Sequence, residues 1–483
     1  MMRMLNIFRL EMIPIAAAVA FMLLFFVYYI RVSRPLAGTT EWIERELEAP
    51  RFSFVRHPLV RRDILPIILI IAAFSAIAFS QLRLLPAIDI PIQVQQAESA
   101  FPPLGTMFAD AAMNLFGQWR IPLPIGLGFG AVMIVLLYAL IKNLFGKTLV
   151  AICGTLLAGP LFMYLQVSIS TIDNLSALFV LSAYCFMFRY ATANPDVSFR
   201  HNTLPLLLSG ISFGIGAAFS WTVLYSGVGL LAVFIIHLRT HSLRGTDDFR
   251  IYLRKSIAYA ALFFVAVTIA IYLLSYIIYG LYAGISLRDA EFYRFIWGNQ
   301  SDIFEIRRMV VENRISQPSF LRWMFGIRCL LPDGLITLFV DDVNTTLRAY
   351  ENPFVWWGGF MAIIAMTVRA MRNRDGAAIF ILIGFVSQFL LWILPTRGFT
   401  AINLTGTLFS ILALCAVFSV MYQRGGTRGK AIVILYTSLS AALFLLACTF
   451  VIIIASNARF SGFLTGLLRW IFLRGEWYDC CCM

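Results

Sequence analysis

Residues 256–280 read SIAYAALFFVAVTIAIYLLSYIIYG, an unbroken apolar run without a single charge, preceded directly by Arg254 and Lys255. As a helix rising about 1.5 Å per residue it reaches roughly 37 Å, enough to cross a hydrocarbon layer of about 30 Å. In lipid every backbone N–H and C=O must be satisfied internally, which a helix does by itself. Similar runs recur along the chain. They place helices near 10–30, 64–82, 122–141, 147–163, 174–190, 203–218, 219–236, 256–280, 352–369, 377–394, 401–421 and 431–455, about twelve in all. Transmembrane β-strands would give much shorter alternating segments. The expected fold is an all-α polytopic membrane protein. The stretch 203–236 holds Gly210, Gly214, Gly216 and Ser220 near its middle and is expected to be bent or broken there.

Composition agrees. Of 483 residues, 60% are hydrophobic and 13% charged, against about 25% charged in a soluble domain. The net charge of +13 would suit nucleic acid only if a soluble module carried a basic stripe, and none is present. The charge is instead a topology signal. The loops 31–63, 142–147, 189–202, 237–255, 369–376 and 422–430 hold 22 Lys and Arg against 9 Asp and Glu, while the rest of the chain holds 16 against 16. Basic loops mark the inner side and attract anionic headgroups, so their Lys and Arg are expected to be solvated.

The outer side then receives the loops 83–121 and 281–351 and the tail 456–483. The domain reading is an anchor helix with its inner loop at 1–63, a core at 64–280, a cap at 281–351, closing helices at 352–455, and the tail. The cap loop is too long to hang free and carries Trp297 and Trp323, with Trp356 and Trp357 just beyond, residues suited to the membrane interface. Cys153, Cys185, Cys415 and Cys448 lie in apolar runs and read as small hydrophobes. Cys480, Cys481 and Cys482 have no His or second Cys pair for a metal site, and leave palmitoylation or metal capture as minor readings.

Polar groups at outer helix ends carry the functional question. Asp173, close to Gln166 and Tyr164, reads either as a helix N-terminal cap or as a cavity-lining carboxylate. Asp89 and Glu98 precede the double proline Pro102-Pro103, and Gly105 permits close backbone approach. That arrangement suits either a loop corner or a base held beside a membrane-surface substrate. Arg397, in an outer turn with Asn403 close by, can snorkel to lipid phosphate or hold the phosphate of a lipid-linked substrate. A solute transporter is a rival class, although no inverted pair of discontinuous helices stands out.

Taken in order, several stretches resemble the bacterial branch of the protein O-mannosyltransferase family, GT-C-type membrane glycosyltransferases. Phe101-Pro102-Pro103-Leu104-Gly105-Thr106, with Leu115-Phe116-Gly117 and Trp119-Arg120, is similar to its HPPLGK segment and the residues after it. Gln166 to Asp173 resembles its RIATID helix start. Phe219-Ser220-Trp221, Tyr225 and Gly227 to Leu230 look like its Lys-Trp helix. Asn352-Pro353 with Trp356-Trp357-Gly358 resembles its Asn-Pro-x-x-Trp-Trp helix start. The likeness spans roughly 64–421. Phe101 stands where the family has His, Thr106 and Ser220 where it has Lys, Ser168 where it has Arg, and Ile402-Asn403 where it has Tyr-His. Its Asp-Glu pair has no clear counterpart beyond Asp89 and Glu98.

The resemblance implies a GT-C-like arrangement in a bacterial cytoplasmic membrane, with transfer of a sugar from a polyprenyl-phosphate carrier to a protein or cell-envelope glycan hydroxyl at the outer face. It implies Asp89 or Glu98 as base, Arg397, Arg120 and Arg83 as phosphate ligands, and Asp173, Gln166 and Asn403 as cavity lining. A divalent cation fits that chemistry, although no protein ligand set for a metal stands out. The thinned catalytic set leaves a second reading, a silent relative acting as a binding or regulatory subunit beside a homologue.

Overall fold

The computed structural model describes residues 20–33, 54–82, 102–108, 123–164, 172–193, 199–242, 249–282, 284–285, 290–312, 335–340, 343–348, 352–389 and 404–455. In chain order the helices are α1 (Ala20–Ser33), α2 (Ile64–Leu82), the short α3 (103–108), α4 (Leu123–Phe145), α5 (Thr148–Tyr164), α6 (Ile172–Ala191), α7 (Phe199–Phe219) and α8 (Leu224–Ser242). The next, α9, runs Phe249–Ala261, passes through a π-helical turn at Leu262–Ala266 and continues as Val267–Tyr282. Then come α10 (Ala290–Glu312), α11 (Pro353–Asn373), α12 (Gly376–Phe389), α13 (Leu404–Arg424) and α14 (Gly426–Ala455). Each apolar segment read from the sequence overlaps one of these helices, with 10–19, 122, 390–394 and 401–403 lying outside the described residues. Among the described residues six helices are long and apolar enough to cross a membrane, and five shorter apolar helices accompany them. The chain is a helical multi-pass membrane protein.

Among the described residues one element departs from an all-helical architecture. Strands β1 (Leu335–Val340) and β2 (Val343–Arg348) pair antiparallel with Val340 opposite Val343. Both are rich in β-branched residues, which suit a pleated ladder.

At the centre lies α13, whose membrane-length window is 83% buried, whereas the window of α9 is only 22% buried. Helix α13 packs against α5, α11, α12 and α14, and α9 chiefly against α7. Most of the buried side chains are apolar, including Phe380, Phe409, Leu412, Phe418 and Tyr436 around α13. Lipid-facing positions of α9, such as Ile269, Leu273, Ile277 and Leu281, are exposed apolar residues, as hydrocarbon solvent requires. Close approach of α9 to α7 depends on Gly210, where a Cβ would fall 2.7 Å from the carbonyl oxygen of Phe263 in the π turn.

The segments flanking the six basic loops gather at one end of the bundle. Arg424 donates to Ser33 O at 3.0 Å, and His57 N–H to Asn143 O at 2.9 Å. Phe54 packs its ring against Phe188 and Phe380, and His237 bridges Ala191 O and Tyr252 OH. Arg369 pairs with Asp375. Lys142 departs from the expectation of a solvated loop lysine. It is 5% exposed and lies 3.3 Å from the equally buried Asp63. Asp63 also accepts from Val60 N–H, Tyr138 OH and Thr148 OH. Burial pushes its pKa up, but those donors outweigh burial and hold the carboxyl below its ordinary value.

Candidate functional site

The opposite end of the bundle is organised by a helix break. Helix α7 runs through Gly210, Gly214 and Gly216 and stops at Ser220, so the break expected within 203–236 is present, made at Ser220 rather than at the glycines. Ser220 is extended (φ −155°, ψ 137°), and its hydroxyl accepts from Thr222 N–H at 3.3 Å. That caps the single 3-10 turn Trp221–Val223, after which the chain re-enters α8.

Two other segments meet this break. Phe219, immediately before it, packs its ring 5.4 Å from Phe108 of α3 and 5.7 Å from Phe179 of α6. The double proline therefore initiates a helical turn rather than only a corner. Gly105 and Thr106 N–H both donate to Pro102 O, and Thr106 hydroxyl donates to Pro103 O at 2.9 Å. From α6, Ser176 Oγ lies 3.2 Å from Thr222 Oγ1, which lies 3.0 Å from Ser220 Oγ. Asp173 is the second residue of α6, three before Ser176. Three segments far apart in sequence, 102–108, 172–179 and 219–223, thus share one aromatic and hydroxyl cluster.

Two hydrogen-bonded chains lead away from it. Below the break, Tyr184 OH lies 2.9 Å from Ser387 Oγ and donates to Ser226 O at 3.5 Å. Gln388 donates to Ser387 Oγ, and Thr405 donates to Gln388 Oε1 at 2.8 Å. This ties together the end of α12 and the start of α13, the helices that flank Arg397 and Asn403. On the other side, the Trp221 indole N–H donates to Tyr272 OH at 3.0 Å, and Tyr272 OH donates to Gln300 Oε1 at 3.0 Å. Hydroxyl and amide residues spaced through apolar runs, such as Gln388, were the sequence signal for both chains.

Arg83, Asp89, Glu98, Arg120, Gln166, Arg397 and Asn403 lie outside the described residues, as does the side chain of Asp173. So do Trp323, Cys480, Cys481 and Cys482. The hydrogen-bonding groups named in the described cluster are hydroxyls, amides, an indole and phenols; the Thr106 hydroxyl bonds back to Pro103 O, and that of Ser220 caps Thr222 N–H. These groups can orient a polar ligand by donating and accepting, but they supply neither a cation for a phosphate nor a carboxylate base. Among the described residues no three His, Cys, Asp or Glu side chains come together to hold a metal ion. The Asn352-Pro353 segment serves α11. Asn352 Oδ1 caps Phe354 N–H while its amide donates to Ser440 O and Oγ, and Pro353 occupies the first helical position.

A family model of dolichyl-phosphate-mannose-protein mannosyltransferase matches residues 101–271, the stretch that begins at the double proline and contains the start of α6, the break and most of α9. Over the whole chain, a chain of the S. cerevisiae protein O-mannosyltransferase Pmt1–Pmt2 complex bound to the sugar donor superposes with a TM-score of 0.66 at 12% identity, covering 86% of this chain and 93% of that one. Residues 101–271 thus resemble the protein mannosyltransferases in sequence, and the chain shares the membrane fold of the Pmt1–Pmt2 chain. Weaker structural likenesses are to the Archaeoglobus fulgidus oligosaccharyltransferase (TM-score 0.42, 11% identity, 84% of this chain and 57% of that one) and to ArnT from Cupriavidus metallidurans (0.40, 14%, 89% and 74%). Comparison with curated protein sequences finds no match. The segments that converge on Phe219 and Ser220 all lie within residues 101–271, the stretch matched by the family model.

Proposed function

We propose that this protein is a membrane glycosyltransferase that moves a mannose-like sugar from a polyprenyl-phosphate carrier to an acceptor hydroxyl at the outer face, opposite the basic loops. The observation that carries the reading is the convergence of 102–108, the start of α6 and the break at Ser220 within the stretch matched by the family model. Such transfer needs a carboxylate to take the acceptor proton and cations to steady the leaving phosphate. Asp89, with Glu98 as the alternative, is assigned the base, and Arg397, Arg120 and Arg83 the phosphate. Asp173, Gln166 and Asn403 line the cavity. The acceptor is a protein or envelope glycan, and the membrane is the bacterial cytoplasmic membrane. A divalent cation at the donor phosphate is compatible with this scheme.

A second reading, a catalytically silent subunit beside a homologue, is favoured by Thr106 and Ser220. At these positions, where the family that the sequence resembles carries lysines, the side chains are neutral, Thr106 bonding back to Pro103 O and Ser220 capping Thr222 N–H. The deciding experiment is reconstitution of the purified protein in liposomes with polyprenyl-phosphate mannose and a broad acceptor set. Transfer above protein-free liposomes supports the enzyme; donor binding without transfer supports the silent subunit. Solute uptake by the same liposomes without donor consumption would replace both readings with transport.

A further inference from the structure

Helix α10 divides its surface into three sectors. Phe292, Phe295, Asn299 and Ile303 face the protein: Phe295 stacks on Tyr279 with centroids 5.5 Å apart, Asn299 donates to Tyr276 OH at 3.1 Å, and Gln300 also bonds Tyr276 OH. A second sector carries Tyr293, Trp297 and Phe304, which are 63%, 76% and 52% exposed. At 100° per residue these three fall within about 40° of one another. The third sector holds the exposed Glu291, Arg294, Asp302 and Glu305.

We propose that α10 lies in the plane of the outer membrane interface, with Tyr293, Trp297 and Phe304 inserted at the boundary between headgroups and acyl chains. Two observations select the bilayer as occupant of this face. The helix is bonded to the end of α9 away from the basic loops, and the exposed apolar column Ile269, Leu273, Ile277 and Leu281 of α9 runs up to that level, so the aromatic sector continues an exposed apolar surface suited to lipid. The aromatic sector also extends along about 16 Å of helix while charged residues flank it over the same length, which an interfacial helix tolerates and a spanning one does not. Amphipathic rings with a polar edge settle at this depth. Through Gln300 and Tyr272 the anchored helix fixes Trp221, and hence the height of the break relative to the bilayer surface. The placement is independent of whether the protein transfers sugar.

The test is fluorescence of the full chain in liposomes, taking the difference between wild type and Trp297→Phe so that only Trp297 is read. Lipids brominated near the glycerol end of the acyl chain are expected to quench most of this emission, lipids brominated near the methyl end less, and aqueous iodide little. Asp302→Trp in the Trp297→Phe background is expected to reverse the pattern, quenched by iodide and spared by brominated lipid. Quenching of Trp297 by iodide alone, by neither agent, or more strongly by the deep bromine overturns the proposal. So does an Asp302→Trp signal quenched by brominated lipid.

Discussion

Asp63 and Lys142 form an ion pair at 3.3 Å in which both side chains are nearly excluded from solvent, and it joins the start of α2 to the end of α4. Thr148 bridges the pair, accepting from Lys142 at 2.7 Å and donating to Asp63 at 2.9 Å. Removing one partner strands the other. Asp63→Asn is therefore expected to cost about 3–5 kcal/mol, and Asp63→Asn with Lys142→Met less than Asp63→Asn alone. Thermal unfolding in detergent measures both.

The same carboxyl gives a pH dependence. Because its folded pKa is depressed below the unfolded value of about 3.9, its contribution is fully present above that pH and is lost as pH falls through the folded pKa. Wild type is expected to lose melting temperature more steeply than Asp63→Asn as pH is lowered below about 4. Parallel slopes in the two proteins would remove Asp63 as the source.

Gly210 decides how closely α7 and α9 approach. A Cβ there would also lie 2.9 Å from Phe263 C and Cβ, and backbone cannot rotate aside as a flexible side chain can. Gly210→Leu is expected to destabilise the protein by roughly 1–3 kcal/mol through overpacking. Gly128, which has open space around its would-be Cβ, supplies the control: Gly128→Ala is expected to leave the melting temperature unchanged or slightly raised.

Much of the helical scaffold was legible because lipid imposes a simple rule: long apolar runs must be helices. Helix starts were legible where the cap residues are local, as at Asn352-Pro353. The break within 203–236 was legible too, though not which residue makes it. Three glycines upstream suggest loosening, yet α7 passes through them, and Ser220 ends the helix because its hydroxyl replaces a lost backbone acceptor. The buried state of Lys142 was invisible because its partner Asp63 is far away in sequence, and a lysine in a basic loop normally marks only the side of the membrane. The hairpin at 335–348 had a sequence signal in its β-branched residues, masked by its position within a loop between apolar runs. The convergence on Phe219 depends on tertiary contacts among aromatic residues that no spacing encodes, and the catalytic carboxylate assignments rest on order and resemblance alone.

The assignment of sides is checked by labelling. Ser242, at the end of α8 beside the basic loops, and Ser301, on α10, are both exposed. With an impermeant thiol reagent added outside intact cells, Ser301→Cys is expected to react and Ser242→Cys to react only after permeabilisation. Reaction of Ser242→Cys alone in intact cells would invert the orientation, and would place the cluster around Ser220 on the inner side.

The proposed chemistry makes its sharpest demand on Asp89 and Arg397. If Asp89 accepts the acceptor proton, Asp89→Asn removes only proton acceptance, and transfer from polyprenyl-phosphate mannose is expected to fall by roughly 10²–10⁴-fold in kcat with donor binding intact. Arg397→Ala removes charge-assisted hydrogen bonds to the donor phosphate. A loss of roughly 1.5–3 kcal/mol corresponds to donor binding weaker by about 10- to 150-fold, with acceptor KM little changed. The two variants therefore separate along different kinetic parameters, which general misfolding would not produce. Equal turnover in Asp89→Asn and wild type transfers the base to another carboxylate, with Glu98 tested next by Glu98→Gln. If wild type binds donor and neither variant changes anything but binding, the silent-subunit reading gains, and co-purification with a homologous chain that carries the missing lysines becomes the next measurement.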